Sequence, residues 1–160
     1  MDSINEQIDL CVSDVNKRNI LRSFIDDTIR GYKRNKLMVL YGRGGNGKST
    51  FMNLLFNKLE KLENFSGGVI DGDVIQNIHN NSDEIENARY ISNINQRLEN
   101  KKLIRFSEIY DNTINSISLS YFIRRQPANY IIDTNDLDIF RNVKHELYEV
   151  VEFDKNFYPY

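Results

Sequence analysis

The sequence predicts an α/β domain in which a parallel β-sheet is flanked by helices. Short apolar runs alternate along the chain with segments of helical periodicity, which is the pattern of βαβ units. A glycine cluster directly follows the first apolar run, so a buried strand is expected to lead through a loop into a helix. With 160 residues, of which 40% are hydrophobic, the chain is long enough for one domain with its own core.

The residue patterns predict the following elements. The first thirty residues are expected to be helical, which gives a helical N-terminal extension over residues 1–35 and an α/β domain over residues 36–160. Strands are predicted over residues 36–41, 68–71, 103–106 and 130–133; helices over 51–62, 82–100, 114–125 and 136–150; and a short last strand over 150–153. Because a parallel sheet binds its ligand at the carboxyl ends of its strands, functional residues are expected just after positions 41, 70, 106 and 132.

Composition excludes several functional classes. The net charge is −2, so no overall basic field favours nucleic acid. One cysteine, Cys11, excludes an internal disulfide framework and is expected to pack in the core. His79 and His145 are isolated and lack the spacing of metal ligands. No apolar run is long enough to cross a membrane and the N-terminus does not resemble a signal peptide, so we expect an intracellular protein.

The glycine cluster matches the phosphate-binding loop G-x-x-x-x-G-K-[ST], the P-loop, at every fixed position. The predicted nucleotide-binding residues are Gly42, Arg43, Gly44, Gly45, Asn46, Gly47, Lys48, Ser49 and Thr50. Glycines allow backbone N–H groups to converge on phosphate, and the following helix adds its positive end. Lys48, expected to lie exposed, is predicted to neutralise the transferred phosphate, and Ser49 to bind Mg²⁺. The motif therefore predicts ATP and Mg²⁺ as cofactors.

From the loop onward the chain resembles small P-loop kinases, most closely the adenylylsulfate kinases. The similar segments are the loop Gly42–Thr50, Asp71-Gly72-Asp73, Glu86-Asn87-Ala88-Arg89, and a lid-like stretch with Arg141 and Lys144. The resemblance implies transfer of the γ-phosphoryl group of ATP to a small-molecule hydroxyl. It also implies that Asp73, with Asp71, acts as base and magnesium organiser, that Glu86, Asn87 and Arg89 hold the acceptor, and that Arg141 and Lys144 cover the γ-phosphate.

The sequence also departs from those kinases in ways that bear on the acceptor. Gln76 stands where the family has an arginine, so the acceptor is expected to carry less negative charge than adenylylsulfate. Arg124 and Arg125 are a second pair of lid candidates. Each of these assignments has a structural alternative: helix caps for the aspartates, a solvated first helical turn around Glu86, and surface charges for the lid residues.

A second resemblance is to the superfamily 3 helicases of phages and large DNA viruses. Residues 41–50 match the sequence of their phosphate-binding loop, and Ser107-Glu108 resembles their second acidic motif. Asn135 resembles their sensor asparagine, and residues 150–153 resemble their closing strand. This resemblance implies a DNA-dependent ATPase with nucleic acid as partner. An inactive nucleotide-binding relic is a third alternative. We expect the strand before Asp71 to lie beside the loop strand in a kinase, and the strand before Glu108 to lie there in a helicase.

Overall fold

The computed structural model describes residues 2–63, 65–72, 74–77, 92–107, 109 and 113–157. Its helices are α1 (Asp2–Cys11), α2 (Val15–Arg30), α3 (Lys48–Glu60), α4 (Val74–Asn77), α5 (described over residues 92–98) and α6 (Ser116–Arg125). Its strands are β1 (Leu37–Tyr41), β2 (Gly67–Ile70), β3 (Leu103–Phe106), β4 (Asn129–Thr134) and β5 (Tyr148–Glu152). The predicted α/β architecture is confirmed.

Within the described part of the chain, the strands form one parallel sheet in the order β2-β3-β4-β1-β5. The loop strand β1 pairs with β4 on one side and with β5 on the other, both in parallel. The kinase resemblance predicts β2 beside β1, and the helicase resemblance predicts β3 there. Both predictions are wrong, because neither strand lies beside β1. The end of β2 is three strand spacings, about 14 Å, from the end of β1.

Side-chain burial explains this strand order. β4 is covered on both faces, and its residues Tyr130, Ile131 and Ile132 are almost fully buried, as a central strand requires. β2 consists of two glycines, Val69 and Ile70, and the Val69 side chain is 57% exposed. A strand with so little apolar surface on its faces is suited to the edge of the sheet.

Two hydrophobic clusters cover the two faces of the sheet. Alternate residues of β1 supply both clusters, with Leu37 and Val39 on one face and Met38 and Leu40 on the other. Helices α4, α5 and α6 pack on the first face, whereas α1, α2 and α3 pack on the second. The helical N-terminal extension therefore shares its core with the loop helix α3.

Residues 136–150, predicted to form a last helix, do not form a single α-helix. Two short 3₁₀ helices, Leu137–Phe140 and His145–Leu147, precede strand β5, which begins at Tyr148. Phe140 stacks on Tyr148 with ring centroids 4.7 Å apart, so the segment folds back on itself. The predicted helix is wrong, whereas the short last strand predicted over 150–153 is found at Tyr148–Glu152. Val150 and Val151 favour a strand, which completes the sheet beside β1.

A buried amide links α2 to the start of β4. Asn129 is 2% exposed, and its Nδ2 donates to Thr28 Oγ1 at 3.0 Å and to the Tyr32 carbonyl at 2.9 Å. Its Oδ1 accepts from the Arg34 backbone N–H at 2.6 Å. Three hydrogen bonds therefore fix the extension against the strand that borders β1.

We expect Asn129→Ala to lower the free energy of unfolding by about 2–3 kcal/mol, because it leaves buried partners unsatisfied. The matched control is Asn57→Ala on the exposed face of α3, which is expected to change stability by less than about 0.5 kcal/mol. Urea denaturation of both variants tests this. Equal effects of the two substitutions would contradict the structural role of Asn129.

Candidate phosphate-binding site

The glycine-rich loop lies at the carboxyl end of β1, between the ends of β4 and β5. The Gly42 N–H donates to the Thr134 carbonyl at 3.2 Å, which ties the loop to β4. The Phe153 N–H donates to the Tyr41 carbonyl at 2.6 Å, which ties the residue after β5 to the end of β1. The loop is thus held on both sides before α3 begins at Lys48.

The backbone N–H groups of this loop are available to a ligand. In the described structure, none of the eight amides from Arg43 to Thr50 donates a hydrogen bond to another residue. Gly44, Gly45 and Gly47 have φ values of 108°, 65° and 81°, which side-chain-bearing residues rarely adopt. A run of free amides at a helix N-terminus is a concave anion site.

The Lys48 side chain is turned into this loop. Only 6% of Lys48 is exposed, and its Nζ donates to the Gly42 carbonyl at 2.7 Å. Burial lowers the pKa of the Lys48 ammonium, while the nearby Asp133 carboxylate acts in the opposite direction. The expectation that Lys48 lies exposed is wrong, because the loop closes around its own lysine. The fold is a parallel α/β sheet that carries the G-x-x-x-x-G-K-S loop at the end of β1.

Asp133, which is not among the predicted site residues, lies close enough to Lys48 to act on it electrostatically. It ends the buried part of β4, opposite Leu40 of β1, and its Oδ1 accepts from Arg105 Nη2 at 2.8 Å. Both side chains are partly buried, and Arg105 Nε has no hydrogen-bond partner among the described residues. Arg105 on β3 and Asp133 on β4 are charged residues in two largely apolar strands. Their pairing could be inferred from the sequence only once β3 and β4 were known to be neighbours.

The segment after β5 packs against the outer side of the P-loop. Asn46 Nδ2 donates to the Lys155 carbonyl, and the Phe157 N–H donates to the Gly45 carbonyl at 2.9 Å. A Cβ on Gly47 would lie 3.2 Å from the Phe157 ring and 3.1 Å from Cys11 Sγ. This contact uses the Gly45 carbonyl and the Asn46 side chain and leaves the loop backbone amides free.

The remaining loop residues present their side chains to solvent. Ser49 and Thr50 are exposed in the first turn of α3, where a hydroxyl can reach a metal ion bound to phosphate. Arg43 is also exposed, and its hydrogen bond with Tyr41 raises the pKa of the guanidinium. Arg43 therefore remains a cation at the entrance of the loop.

The other predicted site residues lie apart from the P-loop or outside the described residues. Asp71 follows edge strand β2, so three strand spacings separate it from the loop. The Asp71 position does not fit direct metal binding together with Ser49. Asp73, Glu86, Asn87, Arg89, Glu108 and His79 lie outside the described residues.

The predicted lid residues make other contacts. Arg141 pairs with Asp138 at 2.6 Å on the surface. Lys144 and Arg124 line a groove of about 450 Å³ between α6 and the second 3₁₀ helix, and no P-loop residue lines it. His145 contacts Tyr148, and Cys11 is buried, as predicted, with its thiol pKa raised by burial.

The described residues contain no group of three or more histidine, cysteine, aspartate or glutamate side chains arranged to hold a metal ion. They contain no helix that is both long and apolar enough to span a membrane. A magnesium ion in a nucleotide site needs only one or two protein ligands, because phosphate and water supply the others.

No family model and no curated protein sequence matches this chain. Among solved structures it is similar to one described as the structure of Rhizobiales Trip13, with 15% sequence identity and a TM-score of 0.46. That similarity covers 96% of this chain and 60% of the other, so the chain spans less than two thirds of that structure's length.

The packing at Gly42 gives a test of the loop geometry. A Cβ there would lie 2.8 Å from Asn46 Oδ1 and 2.9 Å from the Phe153 carbonyl oxygen. We therefore expect Gly42→Ala to lower the free energy of unfolding by about 1–3 kcal/mol. Gly68→Ala is the control, because its Cβ would meet only the Lys101 side chain, at 3.4 Å. Thermal and urea denaturation compare the two; a Gly42→Ala variant as stable as the wild type would contradict this packing.

Proposed function

We propose that this domain binds ATP together with Mg²⁺ and hydrolyses the bond between its β- and γ-phosphates. The observation that supports the proposal is the run of eight free amides from Arg43 to Thr50, next to the buried ammonium of Lys48. Amides and a lysine directed at one position stabilise the charge of a transferred phosphoryl group.

The residues present fit the nucleotide and the metal. A Cβ at Gly44 would have no neighbour within 4 Å, so the loop has room on that side. The exposed Ser49 hydroxyl is the residue expected to hold Mg²⁺. When bound, the metal supplies charge neutralisation at the phosphates.

Lys48 changes its partner in this mechanism. In the free protein its ammonium binds the Gly42 carbonyl, and a phosphate oxygen is a stronger, charged acceptor. Phosphate raises the pKa of Lys48 that burial lowers, so binding favours the protonated lysine. Nucleotide affinity is therefore expected to fall as the pH rises through the lowered pKa of the free lysine.

Asp133 is the carboxylate proposed to act at the γ-phosphate. It stands at the end of the strand beside β1, and its electrostatic effect reaches Lys48. Arg105 donates to one carboxylate oxygen at 2.8 Å and so fixes the orientation of the side chain. The proposed role of Asp133 is to position the attacking water or a water bound to the metal. Asn135, exposed just after β4, adds a polar group at the same edge.

Transfer to a small-molecule hydroxyl, which the kinase resemblance implies, has less support than hydrolysis. That reading needs Asp71 or Asp73 near the phosphates, and Asp71 follows the strand farthest from β1 on that side. Its acceptor-binding residues, Glu86, Asn87 and Arg89, lie outside the described residues. In the proposed reaction the phosphoryl group is therefore transferred to water, and hydroxyl compounds are added as acceptors only in the test.

The helicase-like alternative shares the hydrolysis step. Asn135 follows β4, which borders the loop strand, but the strand that this alternative expects beside β1 is β3, and β3 does not lie there. A nucleic-acid partner has weaker support, because the net charge of −2 supplies no overall attraction to a phosphate backbone. The rate of ATP hydrolysis is therefore measured with and without DNA.

We expect Lys48→Met to weaken MgATP binding about 10- to 100-fold, because a charged hydrogen bond to phosphate is lost. Asp133→Asn should retain binding and lower the hydrolysis rate by at least about tenfold, because the group acts on the reacting water. Calorimetry measures binding, and phosphate release measures turnover. Lys61→Met, an exposed lysine at the end of α3, is the control for both.

Phosphate release is followed alone, with single-stranded oligonucleotide, and with a panel of hydroxyl compounds. Hydrolysis without any acceptor supports the proposal. ADP formation that requires a hydroxyl compound would establish the kinase reading instead. Unchanged MgATP affinity in Lys48→Met would contradict the P-loop site, and binding without turnover under all conditions would indicate an inactive nucleotide-binding protein.

A further inference from the structure

The sheet order indicates which way a bound nucleotide points. β1 lies between β4 and β5, so the P-loop has one flank at each of these strands. Asp133, which acts on Lys48, stands on the β4 flank, so the proposed reacting phosphate belongs there. The nucleoside must then leave the loop on the opposite flank, toward the chain that follows β5.

Phe157 occupies that flank. Its backbone N–H donates to the Gly45 carbonyl at 2.9 Å, and its ring packs against Gly47 at the start of α3. The Asn46 amide donates to the Lys155 carbonyl, two residues earlier, which fixes the same segment a second time. The Phe157 side chain nevertheless remains 40% exposed, so the ring is anchored without being covered.

The opposite side of this segment is also fixed. The Asp154 N–H donates to the Cys11 carbonyl at 3.2 Å, and Asp154 Oδ1 accepts from the Ser13 N–H at 3.1 Å. The junction between α1 and α2 therefore holds the segment against the loop. A partly exposed aromatic ring in a fixed place beside a phosphate site is suited to stacking on a planar base.

We propose that Phe157 forms the surface on which the nucleobase of the bound nucleotide stacks. The inference rests on the proposed nucleotide function and adds to it the residue that distinguishes a nucleotide from inorganic phosphates. The P-loop binds the phosphates, and Phe157 binds the aromatic base.

The test compares ATP with inorganic tripolyphosphate, which carries the phosphates without the base. Calorimetry with Mg²⁺ measures both ligands on wild type, Phe157→Ala and Phe157→Tyr. We expect Phe157→Ala to weaken ATP about tenfold and to change tripolyphosphate affinity less than twofold. Phe157→Tyr keeps an aromatic ring and should retain ATP affinity. Tyr32→Ala, which removes an aromatic ring that is 59% exposed, is the matched control and should change neither affinity.

Each outcome separates this inference from the proposed function. Equal weakening of both ligands by Phe157→Ala would overturn the stacking role, because Phe157 would then act by holding the loop. Unchanged ATP affinity in Phe157→Ala would overturn it as well. Wild-type protein that binds tripolyphosphate and ATP equally would retain the phosphate site and reject the base site. Wild-type protein that binds neither ligand would overturn the proposed function and this inference together.

Discussion

The position of β1 between two parallel neighbours determines the rest of the site. Its pairing with β4 and β5 occupies both of its edges, and the helices on the two sides of the sheet bury its faces. Its carboxyl end is where the chain turns through the loop into α3. The loop is then held from β4 through Gly42 and from β5 through Phe153. Because both anchors are backbone hydrogen bonds, the loop geometry depends on the sheet and less on the side chains around it.

The central cation follows from the same constraint. Lys48 is the first residue of α3, which packs on the sheet face that holds Met38 and Leu40. This packing directs the Lys48 side chain into the loop. Its ammonium lies in the loop and donates to the Gly42 carbonyl, since a buried charge requires a hydrogen-bond partner. The free amides and the buried ammonium are expected to give a region of positive potential in a protein whose net charge is −2. The proposed anion site therefore depends on local backbone geometry and not on composition.

Much of this arrangement could be predicted from the sequence. The strands and the loop follow from apolar runs and from fixed glycines, which act locally. The strand order could not be predicted in the same way, because it depends on which strand offers apolar surface on both faces. The exposed Val69 and the two glycines of β2 explain its edge position only after comparison with β4. The Arg105–Asp133 pair depends on that order, and the burial of Lys48 depends on tertiary packing.

The central claim is that the amides of residues 43–50 form a phosphate site, and NMR of the ¹⁵N-labelled chain tests it most directly. Titration with Mg²⁺ and inorganic tripolyphosphate is expected to shift the backbone amide signals of Gly44, Gly45, Gly47 and Lys48 more than any others. Signals in the groove between α6 and the second 3₁₀ helix should remain in place. Large shifts in that groove with an unchanged loop, or no shifts at all, would contradict the account.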